Sequence, residues 1–214
     1  LVAEDREDPV VARRLAAEKR LSLESVDKLD PTDLAARAWD LADAAGDDPR
    51  VLVFLHRREL AEKVCAALEK EARRRKADAP ALLLVGGRRG WERDRAAEEL
   101  ALHGFLAGAA EAGARPAFLV ATSAGEVGVD LDADAMLADL VPWERMVQRL
   151  GRVNRRGERP AELRVLDDGG AAIKDEAEIA RRAATRALLE ALPTLDNGAR
   201  DASPGALHAL RERP

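Results

Sequence analysis

Three runs, Val51 to Leu55, Ala81 to Val85 and Phe118 to Ala121, are apolar without interruption, the pattern of strands buried on both faces. Asp47-Asp48-Pro49 precedes the first run and His56-Arg57-Arg58 follows it, and Gly86-Gly87 turns the chain after the second. Between them Leu60, Ala61, Val64, Cys65 and Leu68 recur at helical spacing, ending in basic residues 73 to 76, where the helix dipole favours cations. The pattern predicts further helices over Trp91 to about Ala112, Trp143 to about Val153 and Lys174 to Leu192, and further strands over Met136 to Val141 and Leu163 to Leu166. Strands alternating with helices predict an α/β fold, a mostly parallel sheet covered on both faces. Such sheets bind ligands outside the carboxyl ends of their strands. Asp8-Pro9 and Asp30-Pro31 each set a capping carboxylate before a proline at the first helical position, which predicts two helices ahead of the core. Residues 1–35 thus read as a helical lead-in, 36–168 as the α/β domain, and 169–214 as a C-terminal helix and tail with a short helical piece near Ser203 to Leu210.

Composition narrows the class. A chain 47 % hydrophobic and 35 % charged is a globular one, and no apolar run approaches the ~20 residues of a spanning helix. Glu4, Asp5, Glu7 and Asp8 stand where a signal peptide would be basic and then apolar, so a cytoplasmic protein is expected. The first residue is Leu1, as expected of a piece of something longer. Cys65, the one cysteine, rules out an internal disulfide or a zinc–cysteine cluster and reads as a small buried apolar residue.

The net charge of −5 is not that of an obvious nucleic-acid binder, yet charge is unevenly placed. Six arginines (145, 149, 152, 155, 156 and 159) stand against one acid, Glu158, between Arg145 and Arg159, which points to a phosphate partner. A second concentration of chemistry lies where the third strand ends, at Ala121-Thr122-Ser123-Ala124-Gly125-Glu126-Val127-Gly128-Val129-Asp130. Amides near Gly125 and Gly128 can approach phosphate closely, and the Thr122 hydroxyl can add a bond. Downstream comes Gln148-Arg149-Leu150-Gly151-Arg152-Val153-Asn154-Arg155-Arg156-Gly157; if the helix persists, Arg152 and Arg155 share a face and address one anion. Taken singly, these are a tight turn and a solvated basic helix; together, in this order, they form a phosphate site.

The pair ATSAGEVGVD and QRLGRVNRRG resembles motifs V and VI of superfamily 2 helicases, motors of two RecA-like lobes with nucleotide in the cleft between them. RVLVFLHRRELAEKV is similar to the motif IV strand and helix, and GGRRGWERDR, with Asp94-Arg95, to the segment after the next strand. The resemblance covers about residues 36 to 167 and implies the second lobe, of RecA-like, P-loop-NTPase-type fold. Gln148 opening motif VI and the Glu-Val-Gly-Val-Asp of 126 to 130 resemble DNA-directed DExH helicases, and the run QRLGRVNRRG, with Asn154, is most similar to the helicase-nuclease of type I CRISPR interference.

The resemblance implies specific roles. Arg152 and Arg155 are the arginine fingers on the terminal phosphate of ATP, Gln148 and the Gly128 backbone are nucleotide-side contacts, and Asp130 bonds the ribose. Thr122 and the Gly128 backbone hold a DNA phosphate, with Arg88 and His56 as further nucleic-acid contacts. The implied ligands are ATP with Mg²⁺, the metal held mainly by the first lobe, and single-stranded DNA; the implied partners are that first lobe and a CRISPR RNA-guided surveillance complex. No membrane partner is expected. No G-x-x-x-x-G-K-[ST] occurs, no Asp-Glu pair ends an apolar strand, and none of His56, His103 or His208 is followed by Asp, so no metal site or HD-type nuclease is expected in this stretch. The isolated chain is therefore expected to be inactive, although the full-length protein would be an ATP-dependent helicase. Two other readings stand beside this one: the lobe of another superfamily 2 helicase acting on DNA or RNA, and a non-catalytic doubly wound nucleic-acid-binding module. His56, Trp91 and Trp143 also admit packing roles; for the two tryptophans the alternative is base stacking.

Overall fold

A computed structural model describes residues 8–86, 90–107 and 115–211, the side chains of 90–94 and 211 excepted. The continuous apolar runs form the middle of the sheet: β2 (Arg50–Phe54), β4 (Ala117–Ala121) and β5 (Ala135–Asp139) are buried at every position. With β3 (Ala81–Leu84), β6 (Ala161–Asp167), β1 (Lys19–Ser25) and β7 (Arg200–Asp201) they give the strand order β3-β4-β2-β5-β6-β1-β7. All neighbours are parallel except β7, which lies antiparallel on β1.

Successive side chains of a strand point to opposite faces, and the two cores separate accordingly. Val51, Val53 and Leu55 of the β2 run face α2 (Pro31–Ala45) and α3 (Arg58–Arg75), packing with Leu34, Ala38, Leu41, Val64 and Leu68. Leu52 and Phe54 face the other layer, with Leu100 of α4 (Gly90–Leu102), Met146 and Leu150 of α5 (Trp143–Leu150), and Leu189 of α6 (Glu176–Glu190). Trp39 of α2 lies between the Phe118 ring, at 4.8 Å, and the Arg75 guanidinium, at 4.5 Å. Trp143 packs against the second core. Among the described residues no helix is long and apolar enough to cross a membrane.

Three expectations need correction. The lead-in is not helical throughout: α1 (Pro9–Leu15) and α2 are capped by Asp8 and Asp30 as predicted, but β1 lies between them as a full member of the sheet, paired to β6 over seven residues. The alternation of Leu21 and Leu23 with Ser22 and Glu24 is a half-buried strand pattern, but it covers only four of the seven residues. The helix starting at Trp143 stops at Leu150 rather than near Val153, with Gly151 at its cap and Asn154 in the left-handed region at φ 44°. The helix starting near Trp91 closes at Leu102. At the C-terminus, α7 (Pro204–Arg211) matches the predicted short helix, whereas β7 has no counterpart in the reading of the sequence.

Candidate functional site

The segment after β4 begins at the carboxyl edge of the sheet. Thr122 is buried; its N–H donates to the Leu84 carbonyl at 3.0 Å, and its own carbonyl accepts from Gly125 at 3.0 Å, closing a short 3-10 turn. Glycine is required at 125, because a Cβ there would sit 2.9 Å from that of Ala121 and 3.0 Å from the Phe54 ring. Gly128 is required for a different reason, its left-handed φ of +85°, and it faces open space. The segment then crosses the sheet face: fully buried Leu131 bridges to Leu106, Asp132 donates its N–H to Phe105, and the chain enters β5 at the amino edge. One segment therefore spans both edges of the sheet.

His56 follows β2 and Thr122 follows the adjacent β4, so these two candidates share the carboxyl edge, linked by the bond from the Leu55 N–H to the Ala121 carbonyl at 2.9 Å. The His56 ring is anchored: its Nδ1 pairs with Asp139 Oδ2, which also accepts the His56 N–H at 2.9 Å. Asp139 closes β5 and is completely buried. Arg88 lies outside the described residues.

Asp139 opens a chain of charges that the sequence reading missed. Arg149, buried in α5 and lying 5.2 Å over the Phe54 ring, donates from Nη1 to Asp139 Oδ1 at 2.7 Å and from Nε to Glu126 Oε1 at 2.8 Å. Arg145, one turn earlier, forks onto Glu126 with two bonds of 2.9 Å. Burial pushes both carboxyls up, but the arginines outweigh it, together with His56 at Asp139, and both sit below their ordinary range. Two of the six arginines expected on phosphate are thus consumed inside the lobe, joining the segment after β4, the end of β5 and α5. Arg145 and Arg149 stand four apart, in step with buried Met146 and Leu150, a spacing that could have shown them turned inward.

Arg152 and Arg155 are not successive turns of a helix, yet they do converge. Arg152 donates from Nη2 to the Glu126 carbonyl at 2.7 Å, and its Nη1 lies 3.6 Å from Asp130 Oδ1. Arg155 pairs with the same carboxylate oxygen, and its N–H donates to Asp132 at 3.0 Å. Asp130 is 63 % exposed and Arg155 36 %. Arg152 Nε is buried with no acceptor. This cluster lies at the amino edge, where Val153 bridges to Ala133 just before β5, whereas Thr122 and His56 stand at the carboxyl ends of their strands. Gln148 is exposed on α5. Among the described residues no group of His, Cys, Asp and Glu is placed to hold a metal ion.

The mostly parallel, helix-covered sheet with these loops defines the class: a RecA-like α/β lobe. The chain belongs to the family described as "CRISPR-associated nuclease/helicase Cas3, C-terminal", whose model matches residues 47–158. A putative CRISPR-associated nuclease/helicase Cas3 of Myxococcus xanthus (strain DK1622) is 44 % identical over 64 residues, which are 29 % of this chain and 9 % of that protein. Among solved structures, T. fusca Cas3 with AMPPNP superposes with a TM-score of 0.68 at 21 % identity, over 91 % of this chain and 23 % of that one. T. fusca Cas3 with ATP superposes at 0.64, with the same identity and coverage. A chain of a CRISPR RNA-guided surveillance complex in a pre-nicking state superposes at 0.61 and 20 % identity, over 90 % of this chain and 24 % of that one. At these identities the superpositions establish the fold. The chain spans about a quarter or less of each of these relatives.

Proposed function

We propose that this chain is the second motor lobe of an ATP-dependent DNA helicase of CRISPR type I interference, acting in the cytoplasm. The observation that carries the reading is the convergence of Arg152 and Arg155 on Asp130, on a segment whose other end presents Thr122 at the opposite edge of the sheet. A phosphoryl group in transfer spreads charge over its equatorial oxygens, and arginines delivered from a neighbouring lobe neutralise it. Arg152 and Arg155 have that role here, with Asp130 free to turn to the ribose once phosphate takes over its arginines. The exposed Arg155–Asp130 pair is worth only about 0–1 kcal/mol, so giving it up costs little. Gln148 and the Gly128 backbone border the nucleotide, and Mg²⁺ is held mainly by the first lobe.

Thr122 and His56, at the carboxyl edge, meet phosphates of single-stranded DNA, and the Gly128 backbone and Arg88 are further contacts of this reading. Movement at Asp130 reaches Thr122 through a single segment pinned at Glu126, which is how nucleotide state and grip on DNA are coupled. The T. fusca relatives with nucleotide and the surveillance-complex relative support ATP and a CRISPR RNA-guided complex as the ligand and partner of the parent protein. The test is Arg152→Ala and Arg155→Ala in the parent: each should lower DNA-stimulated ATP turnover by ~10³-fold or more while DNA affinity barely changes. Equal loss of DNA binding would assign the arginines to the strand instead. The isolated chain, without a phosphate cradle, should show no turnover above background.

A further inference from the structure

The loop carrying Arg152 and Arg155 is fastened by the strand that the sequence hid. Lys19, the first residue of β1, is buried at 2 % exposure, and its Nζ donates to the Leu150 carbonyl at 2.7 Å. Leu150 ends α5, where carbonyls lack helical partners, so the ammonium caps the helix at the base of the loop. One residue earlier in the chain, the Glu18 carbonyl accepts from Asn154 Nδ2 at 3.1 Å and from the Ala161 N–H at 3.0 Å. Asn154 donates its own N–H to Ala133 at 2.9 Å, stitching the loop to the entrance of β5 on its other side. Its left-handed φ of 44° is one that asparagine tolerates better than most residues, and only asparagine's amide also reaches Glu18, which a glycine could not. At Gly157 a Cβ would lie 2.7 Å from the Arg13 carbonyl, so the lead-in also closes over the far end of the loop.

Packing alone does not account for a lysine here. Strand alternation puts Lys19 on the face of Leu21 and Leu23, where methionine would fill the space without burying an ammonium. The charged groups facing it are Asp132, in the segment before β5, and Arg155, in the loop itself; Asp132 also receives the Arg155 N–H. Burial, opposed by Asp132 and assisted by Arg155, brings the amine down to about 8.

We infer that Lys19 and Asn154 are positioning residues, which hold the loop so that Arg152 and Arg155 meet the nucleotide phosphate in reacting geometry. The inference rests on the reading of those two arginines as nucleotide ligands. A misplacement on the order of 1 Å costs up to roughly 100-fold in rate, so the effect falls on kcat.

The experiment compares Asn154→Gly, Lys19→Met and Arg152→Ala in the parent protein, measuring kcat and KM for ATP with saturating single-stranded DNA between pH 7 and pH 9.5, DNA affinity and melting temperature. Asn154→Gly keeps the left-handed backbone and removes only the amide bond to Glu18. It should lower kcat by roughly 10-fold to 100-fold, leaving KM and DNA affinity within about twofold. Lys19→Met should do the same at neutral pH. As pH rises through about 8 the amine keeps an N–H for the Leu150 carbonyl but loses its charge at the end of α5. Wild-type kcat should therefore fall by less than Lys19→Met loses at neutral pH, and Lys19→Met should lack that fall. If Lys19→Met does not fold, Asn154→Gly decides alone. A kcat within twofold of wild type for Asn154→Gly, with Arg152→Ala inactive, overturns the positioning role and leaves the arginine reading intact. Full activity of Arg152→Ala overturns both.

Discussion

Replacing Arg149 by methionine would leave two carboxylates facing an apolar side chain. In the native lobe Arg149 is fully buried and serves Glu126 at 2.8 Å and Asp139 at 2.7 Å. Glu126 would keep Arg145 and so remain compensated. Asp139, itself completely buried, would keep only His56. Removing one partner of a buried pair costs about 3–5 kcal/mol, because the other charge stays behind. Arg149 Nη2 has no acceptor, so the native arrangement already carries an unmet donor, and the lower end of that range applies. At about 2–4 °C per kcal/mol for a chain of this size, a loss of about 3 kcal/mol lowers the melting temperature by about 6–12 °C. Thermal melting followed by circular dichroism at pH 7 measures this, with exposed Arg58→Met as the control for losing one positive charge. Adding Asp139→Asn to Arg149→Met should restore several degrees, since a neutral amide is cheaper to bury than an unpaired carboxylate. The reasoning fails if Arg149→Met melts within about 2 °C of the Arg58 control, or if the double variant loses the sum of the two single losses.

The same network sets the acid limit of the fold. Glu126 and Asp139 are held below their ordinary values of 4.5 and 3.8, so the folded state binds fewer protons than the unfolded chain. Their contribution is complete above about pH 5 and is lost as pH falls below those ordinary values; urea titrations from pH 7 to pH 3 should show stability falling, with a smaller fall in Glu126→Gln. Cys65 is buried with its thiol pushed up to about 11, so a thiol reagent at pH 8 should modify it only as fast as the chain unfolds. Binding of the lobe to single-stranded DNA should weaken only gently with salt, with a log–log slope of about −0.7 per phosphate and roughly −3 at most for three or four contacts. Thr122→Ala should weaken that binding by about 1 kcal/mol whatever the base sequence.

Much of the sheet was legible because its central strands are buried on both faces and leave unbroken apolar runs, as in Val51 to Leu55. Asp8-Pro9 and Asp30-Pro31 located two helix starts because capping is a local interaction. What stayed hidden depends on partners far away in sequence. Lys19 opens a strand that is recognisable mainly through its pairing with Ala161, and its burial follows from Leu150. Glu126 and Asp139 had no assigned partner until the fold set them against Arg145 and Arg149, which a count of local charge had assigned to phosphate. That Arg152 and Arg155 come together was expected from their spacing, but on a helix that Gly151 and Asn154 in fact end, and their meeting on Asp130 was not foreseen.

The most direct test of the central claim is a structure of the parent protein with a non-hydrolysable ATP analogue and single-stranded DNA. Arg152 and Arg155 should leave Asp130 for the terminal phosphate, Asp130 should turn to the ribose, and Thr122 should contact a DNA phosphate at the opposite edge of the sheet. Arginines seated on the DNA backbone, or still paired with Asp130 while nucleotide fills the cleft, would contradict the account.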